Sequence, residues 1–291
     1  MTATNPELLG PAPPGPSAQS RYRSAMMRPR GIAGVAILGT VILLGLLAPV
    51  LSSFGPEVQT RLADLQGPSS THLLGTDELG RDLWSRNLYG IRVDLLVAAI
   101  GVPLGAILGA VLGVAGAAWR RASDTVVQRL FDVLLAFPAL ILAVTVAAIV
   151  GSGKEAITVT IVLANIPIFG RIARDAYRTQ SVREYITAAR VLGVPRRRLV
   201  ARHVFPNISD ALIVQLALSV SLAVFLEAGM SFLGIGVQLP APSLGNILSG
   251  ALPYLSSNLN YAIGPIVAIS GLVIGCNLVA DALNSAVLRA R

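Results

Sequence analysis

The chain has 291 residues, 54% of them hydrophobic and only 13% charged, with a formal net charge of +8. A soluble domain carries about 25% charged residues, so half that figure, together with long charge-free runs, points to lipid as the solvent. The basic excess raises nucleic acid as a partner. The arginines, however, fall between apolar runs rather than on one basic face, which disfavours that class and fits a membrane protein. The one cysteine, Cys276, lies in an apolar run, so no disulfide framework forms within the chain. His72 and His203 stand far apart with no acidic or cysteine cluster beside them, and no metal site is expected.

Residues 1–30 open with a stretch rich in Pro, Ser, Ala and Gly and end on Arg21, Arg23, Arg28 and Arg30. This composition predicts a disordered basic tail on the cytoplasmic side. Residues 31–51 are 21 uncharged residues, longer than a signal-peptide core and without a small-x-small cleavage site. They predict a retained first transmembrane helix over residues 31–52, since about 20 helical residues cross a hydrocarbon core about 30 Å thick. An external segment, 53–94, follows. Further apolar runs occupy 95–118, 133–150, 156–170, 211–236 and 262–280. The run at 156–170 is short and contains Asn165 and Pro167, so its helix should continue past the hydrocarbon on the arginine side. The expectation is an all-α bundle of six spans with its core in residues 95–289.

Alternating the spans from a cytoplasmic N-terminus places 18 of the 23 basic residues inside and leaves Arg61, Arg81, Arg86, Arg92 and Lys154 outside. Positive-inside asymmetry therefore puts both termini in the cytoplasm. Gly101, Gly105, Gly109 and Gly113 share one face of the second span, where small residues let helix backbones approach closely. That stripe serves either packing within this subunit or contact with another. Residues 236–260 are apolar and uncharged but interrupted by Pro240, Pro242 and Pro253, which reads as an external re-entrant or surface-lying piece.

The longest inside segment, 171–207, is built rather than disordered. Over 182–192, Tyr185, Ala188, Ala189 and Leu192 recur at helical spacing on one apolar face. Gly193 stands where a helix C′ residue needs a positive φ, and Pro195 can open a second short helix. Arg196, Arg197, Arg198 and Arg202 follow, and Pro206 marks the return to the membrane. Two short helices at an angle make a projecting knob, either for another protein to grip or to lie on anionic lipid.

Thr187-Ala188-Ala189, three residues, Gly193, nine residues, then His203-Val204-Phe205-Pro206 resembles the EAA loop of binding-protein-dependent ABC importer permeases. Thr187 stands for the glutamate, and His203 and Phe205 for isoleucine and leucine. His72 to Asp82 (with Gly75, Thr76, Asp77, Gly80, Arg81 and Asp82), then Ser85-Arg86 and Gly90-Ile91-Arg92, is similar to the external signature of the dipeptide, oligopeptide and nickel branch, in its second, C-type subunit. Read by themselves, these residues suit turns and a helix cap, with Thr76 or Asp77 capping the helix that enters the second span. Residues 227–246 are similar to that branch's fifth-span ending, with Leu244 in place of a tryptophan. Near the C-terminus Asn277 and Asp281 match, while the residues after them do not.

The resemblance covers about residues 31–281 and implies the type I ABC importer fold. It implies a heterodimer with a homologous permease, two ATP-binding subunits or domains, an external substrate-binding lipoprotein and the inner membrane as partners. It assigns ATPase coupling to Glu184, Thr187, Ala188, Ala189, Gly193 and Pro206. ATP and Mg would be held by the partner subunits, with no cofactor and no catalytic residue on this chain. Gly151 to Glu155 lacks the first glycine and the Ser/Thr of a phosphate-binding loop, so energy must come from another chain. Small peptides are the implied cargo, with nickel complexes or glutathione as the alternative. A proton-coupled secondary transporter using Glu227 is a rival from another class. Glu227 and Asn165 are the polar candidates inside apolar runs. Glu227 could line the pathway and meet the positive end of a peptide, bond a neighbouring helix end, or reach external water. A charge at the bilayer centre costs about 2.5–3.5 kcal/mol on insertion scales, so it should not face lipid.

Overall fold

The computed structural model describes residues 18–119 and 121–288. The tail before residue 18, Arg120, Arg289 and Arg291 lie outside the described residues. In chain order the helices are α1 (Ala18–Met26), α2 (Pro29–Leu46), α3 (Ala48–Leu51), α4 (Leu83–Ala118), α5 (Arg121–Ala136), α6 (Ala139–Val150), α7 (Lys154–Ser181), α8 (Glu184–Val191), α9 (Arg196–Leu199), α10 (Phe205–Phe232), α11 (Leu244–Ala251) and α12 (Asn260–Leu288). Among the described residues no strand forms; two isolated bridges, Gln59 with Arg81 and Thr76 with Asp82, lie in the external segment. The basic segment expected to be disordered is helical from Ala18, and the Tyr22 hydroxyl donates to Asp210 near the N-terminal end of α10, 2.5 Å away.

Five helices (α2, α4, α7, α10 and α12) are long and apolar enough to cross a membrane. The third apolar run is not one straight span. It breaks at Phe137-Pro138, and α5 and α6 meet at 95°. Proline has no N–H and pushes the residue before it out of the α region. Twelve residues remain in α6, about 18 Å of helix, too short to cross alone, so the bent pair is either one broken span or a re-entrant loop. The structure holds five spans, or six if the pair counts as one. The fourth run does continue, as α7 reaches Ser181. Helix fills the last part of segment 53–94, because α4 begins at Leu83. Its 36 residues amount to about 54 Å, far more than the hydrocarbon needs.

The core is the pairing of α4 with α7. All four glycines of the stripe face α7: a Cβ on Gly101 or Gly105 would fall 2.8 Å from the Ile161 side chain or 2.7 Å from Asn165 Cβ. On Gly109 and Gly113 it would fall 2.3 and 2.0 Å from the carbonyl oxygens of Ile166 and Gly170. The stripe therefore serves packing within this subunit. Next to it the fully buried Phe131 of α5 rests in the notch left by Gly170. Asp124 of α5 receives Arg174 of α7 through two bonds, 2.6 and 2.9 Å, and Arg178 at 2.5 Å. A forked arginine–carboxylate pair fixes geometry as well as charge, so the first turn of α5 is tied to the C-terminal half of α7. α12 closes the bundle against α2 and α10, where Asn277 Nδ2 donates to Ser221 Oγ at 3.1 Å.

Residues 236–260 hold more order than the prolines suggest. Ser243 and Asn246 form a reciprocal capping box at the start of α11, which buries Leu244, Gly245, Ile247 and Ala251. α11 is therefore a short helix seated between α4, α10 and α12.

Candidate functional site

Three groups of polar or exposed residues stand out, and the fold keeps them apart: the knob at residues 184–206, the motif at residues 72–86 and a buried acidic residue.

The knob begins at Glu184, two residues later than its sequence pattern suggests. Ile186 is fully buried and packs with Leu199, Val204 and the α7 residues Ala173 and Tyr177, with Ala189 half-buried beside them. Of the expected apolar face, Tyr185, Ala188, Ala189 and Leu192, only Ala189 is half-buried. Tyr185, Ala188 and Leu192 are exposed, as are Val182 and Val191, with Val182, Val191 and Leu192 about 80% accessible. These apolar side chains form an exposed patch on a segment otherwise rich in arginine. Glu184 and Thr187 edge the same surface.

The helix ends as predicted. Gly193 has φ +78, and the Val194 N–H donates to the Ala189 carbonyl at 3.1 Å, the bond that closes a Schellman end. Space is open where a Gly193 Cβ would sit, so backbone conformation alone demands glycine there. The Leu199 N–H then donates to the Pro195 carbonyl. α9 runs through a π turn at Val200–Val204 directly into α10, with the exposed Pro206 in its first turn. The knob is thus joined to α10 by continuous helix and to α7 by packing.

The external motif folds around Asp77, which is fully buried. Its Oδ1 accepts the N–H groups of Leu79 and Arg81, both at 2.9 Å, and its Oδ2 accepts Arg81 Nε at 2.6 Å. Arg86 Nε lies 3.4 Å from the same oxygen, and Arg86 Nη1 donates to the carbonyls of Pro56 and Pro240. Thr76 Oγ1 donates to the Ala63 carbonyl and accepts from the Gln66 N–H. Gly75 and Gly80 have φ of +82 and +67, and a Cβ on either would strike a carbonyl oxygen of the same loop. The cap on α4 belongs to Asp82, not to Thr76 or Asp77: it accepts the Ser85 N–H at 2.7 Å and pairs with His72 Nδ1 at 2.9 Å. The motif is a scaffold that fastens the outer loop to the start of α4. Asp77→Ala would leave two buried guanidinium groups without their shared carboxylate, a class of change that costs about 3–5 kcal/mol. It should sharply lower the amount of folded protein in membranes, read by immunoblot and by melting in detergent.

Glu227 is fully buried, which excludes the reading that it reaches external water. Its Oε1 accepts from Ser231 Oγ at 2.7 Å, and its side chain also lies against Asp94 of α4 and Ser243, the N-cap of α11. Asp94, which the sequence presents only as the charge bounding the second span, was missed. An acidic residue at the edge of an apolar run carries no signal until its partner is known. Asn165 is buried at the α4–α7 contact and donates to its own helix, to the Ile161 carbonyl at 2.8 Å. It does not join Glu227 in one site.

The chain matches the family description "Binding-protein-dependent transport system inner membrane component" over residues 101–291. It is 33% identical over 289 residues to the dipeptide transport system permease protein of Alkalihalophilus pseudofirmus, covering 96% of this chain and 95% of that one. It is 35% identical over 221 residues to the glutathione transport system permease protein of Pectobacterium atrosepticum, covering 76% and 73%. A chain of the MetNI methionine ABC transporter, solved in inward-facing conformations, shares the fold at a TM-score of 0.55 and 21% identity, covering 70% of this chain and 95% of that one.

Proposed function

Since the chain belongs to the binding-protein-dependent transport system inner membrane components, we propose that it is one permease half of an ATP-driven importer of small peptides. The observation that carries this reading is the end-to-end match to a dipeptide permease at 33% identity over 96% of the chain. A glutathione-type cargo, itself a small peptide, is the second reading, favoured by the relative of that name.

The chain works as follows. A homologous permease completes the pathway, two ATP-binding subunits holding ATP and Mg dock on the cytoplasmic face, and an external lipoprotein delivers the cargo. Val182, Tyr185, Ala188, Val191 and Leu192 present the apolar docking surface. Glu184 and Thr187 stand at its margin, and Gly193 and Pro206 set its angle to α10. Closure of the ATP-binding subunits displaces the knob. Ile186 and Leu199 press on α7, the π turn transmits the displacement to α10, and the inner ends of these helices tilt together with α5 through Asp124. No residue of this chain makes or breaks a bond. Co-purification tests the assembly: a tagged chain expressed with its neighbouring ATPase genes should retain both ATP-binding subunits, and their complete absence would overturn the reading.

This mechanism needs the knob inside the cell. In a Cys276→Ser background, Leu73→Cys, at an external position 57% exposed, should react with an impermeant thiol reagent on intact cells. Val191→Cys, at a position 82% exposed on the knob, should react only after the membrane is opened. The reverse pattern would invert the orientation drawn from the arginines. Thr76 is unsuitable for this purpose because it is fully buried.

A further inference from the structure

Asp94 and Glu227 meet at the outer corner where α4, α10 and α11 converge. A Cβ on Gly90, one turn before Asp94, would touch the Leu244 backbone at 3.1 Å, and one on Gly245 would strike the Ala228 carbonyl at 2.2 Å. Both acidic residues are fully buried. Three of their four oxygens, Asp94 Oδ1 and Oδ2 and Glu227 Oε2, accept no hydrogen bond, although the two carboxyl groups lie against each other and Asp94 also faces the Leu244 N–H.

Among the described residues no cation meets the pair. On α4, Arg86 is turned to Asp77, Pro56 and Pro240, and Arg92 is exposed. Lys154 and Glu155 at the outer end of α7 are exposed. Tyr261 of α12 is engaged with Glu78 at 2.7 Å, and α11 contains no ionisable residue. Two adjacent carboxylates without a counter-ion cannot both stay ionised in a buried site, because desolvation and like-charge repulsion add.

We propose that Asp94 and Glu227 form a proton-binding site in which one resident proton, shared between them, latches α4 to α10 and holds the external helix α11 in place. A hydrogen between Glu227 Oε2 and an Asp94 oxygen gives two of the three orphan atoms a partner. The remaining Asp94 oxygen faces the Leu244 N–H in the first turn of α11, where a negative charge is favoured. Glu227 Oε1 keeps its bond from Ser231. The proton is structural rather than transported, since neither carboxyl touches water. The inference is independent of which peptide is carried.

The test uses the intact transporter in lipid nanodiscs and the infrared C=O band of a protonated carboxyl group at neutral pH. Asp94→Asn and Glu227→Gln each replace one carboxyl with an amide whose N–H supplies the hydrogen that the proton supplied. Each variant should therefore assemble and lose the band that the wild type shows. A wild-type spectrum without such a band, or a band unchanged in both variants, overturns the proposal. A second measurement needs no variant. A proton bound in the folded protein and released on unfolding makes stability fall as pH rises, so wild-type melting should worsen toward alkaline pH. In either amide variant that assembles, this slope should be weaker. A wild-type melting curve indifferent to alkali contradicts the latch.

Discussion

Gly113→Val is expected to abolish accumulation of folded protein in the membrane. A Cβ at this position would sit 2.0 Å from the Gly170 carbonyl oxygen and within 2.9 Å of the Gly170 Cα and carbonyl carbon. Those are backbone atoms on the facing helix, so no side-chain rotation can relieve the overlap, and α4 and α7 must separate. Ordinary overpacking costs about 1–3 kcal/mol, and here the displacement would also open the seat of Phe131 and strain the Asp124–Arg174 link. Gly39→Val is the control, because space is open at the Gly39 position and this variant should accumulate normally. Immunoblotting of membrane fractions and size-exclusion chromatography in detergent read the contrast. Equal yields from the two variants would show that the α4–α7 contact does not hold the fold together.

Gly193→Val and Ala188→Arg are expected to leave assembly intact and remove transport. Valine at φ +78 takes a backbone conformation that disfavours L residues by about 1–2 kcal/mol. Nothing lies within 4 Å of the new Cβ, so the cost falls on the angle between α8 and α9 rather than on packing. Ala188 is exposed, and arginine there places a long charged side chain on the docking surface without disturbing Ile186 beneath it. Both variants should reach the membrane at wild-type levels while peptide uptake falls at least tenfold, equivalent to about 1.4 kcal/mol. Wild-type uptake in both would remove the knob from the coupling path.

Much of this architecture is legible in the sequence for a physical reason. Hydrocarbon tolerates no unpaired backbone, so span positions follow from runs of uncharged residues, and small residues four apart mark helix contacts. The Gly193–Pro195 turn is equally legible, because a positive φ and a missing N–H leave few alternatives. Sequence pattern fails where the partner decides. Apolar residues on α8 have two possible sides, and periodicity cannot tell a face turned toward α7 from one turned toward another subunit. Ile186, which lies outside the chosen stripe, takes the inner position. The break at Pro138 turns one apolar run into a bent pair, a result that composition alone does not register. The cap on α4 moved to Asp82 because Asp77 is held by its own loop and by Arg81. Asp94 needed α10 and α11 in place before its role could be seen.

The central claim is that this chain admits small peptides only when ATP-binding subunits drive it. The direct measurement reconstitutes it in proteoliposomes with its permease partner, the ATP-binding subunits and the external binding protein, and follows a labelled dipeptide. The account predicts uptake that requires lumenal ATP (on the knob side), is unaffected by collapsing the proton gradient, and disappears with Ala188→Arg. Uptake that persists without ATP and stops when the proton gradient is collapsed would contradict it.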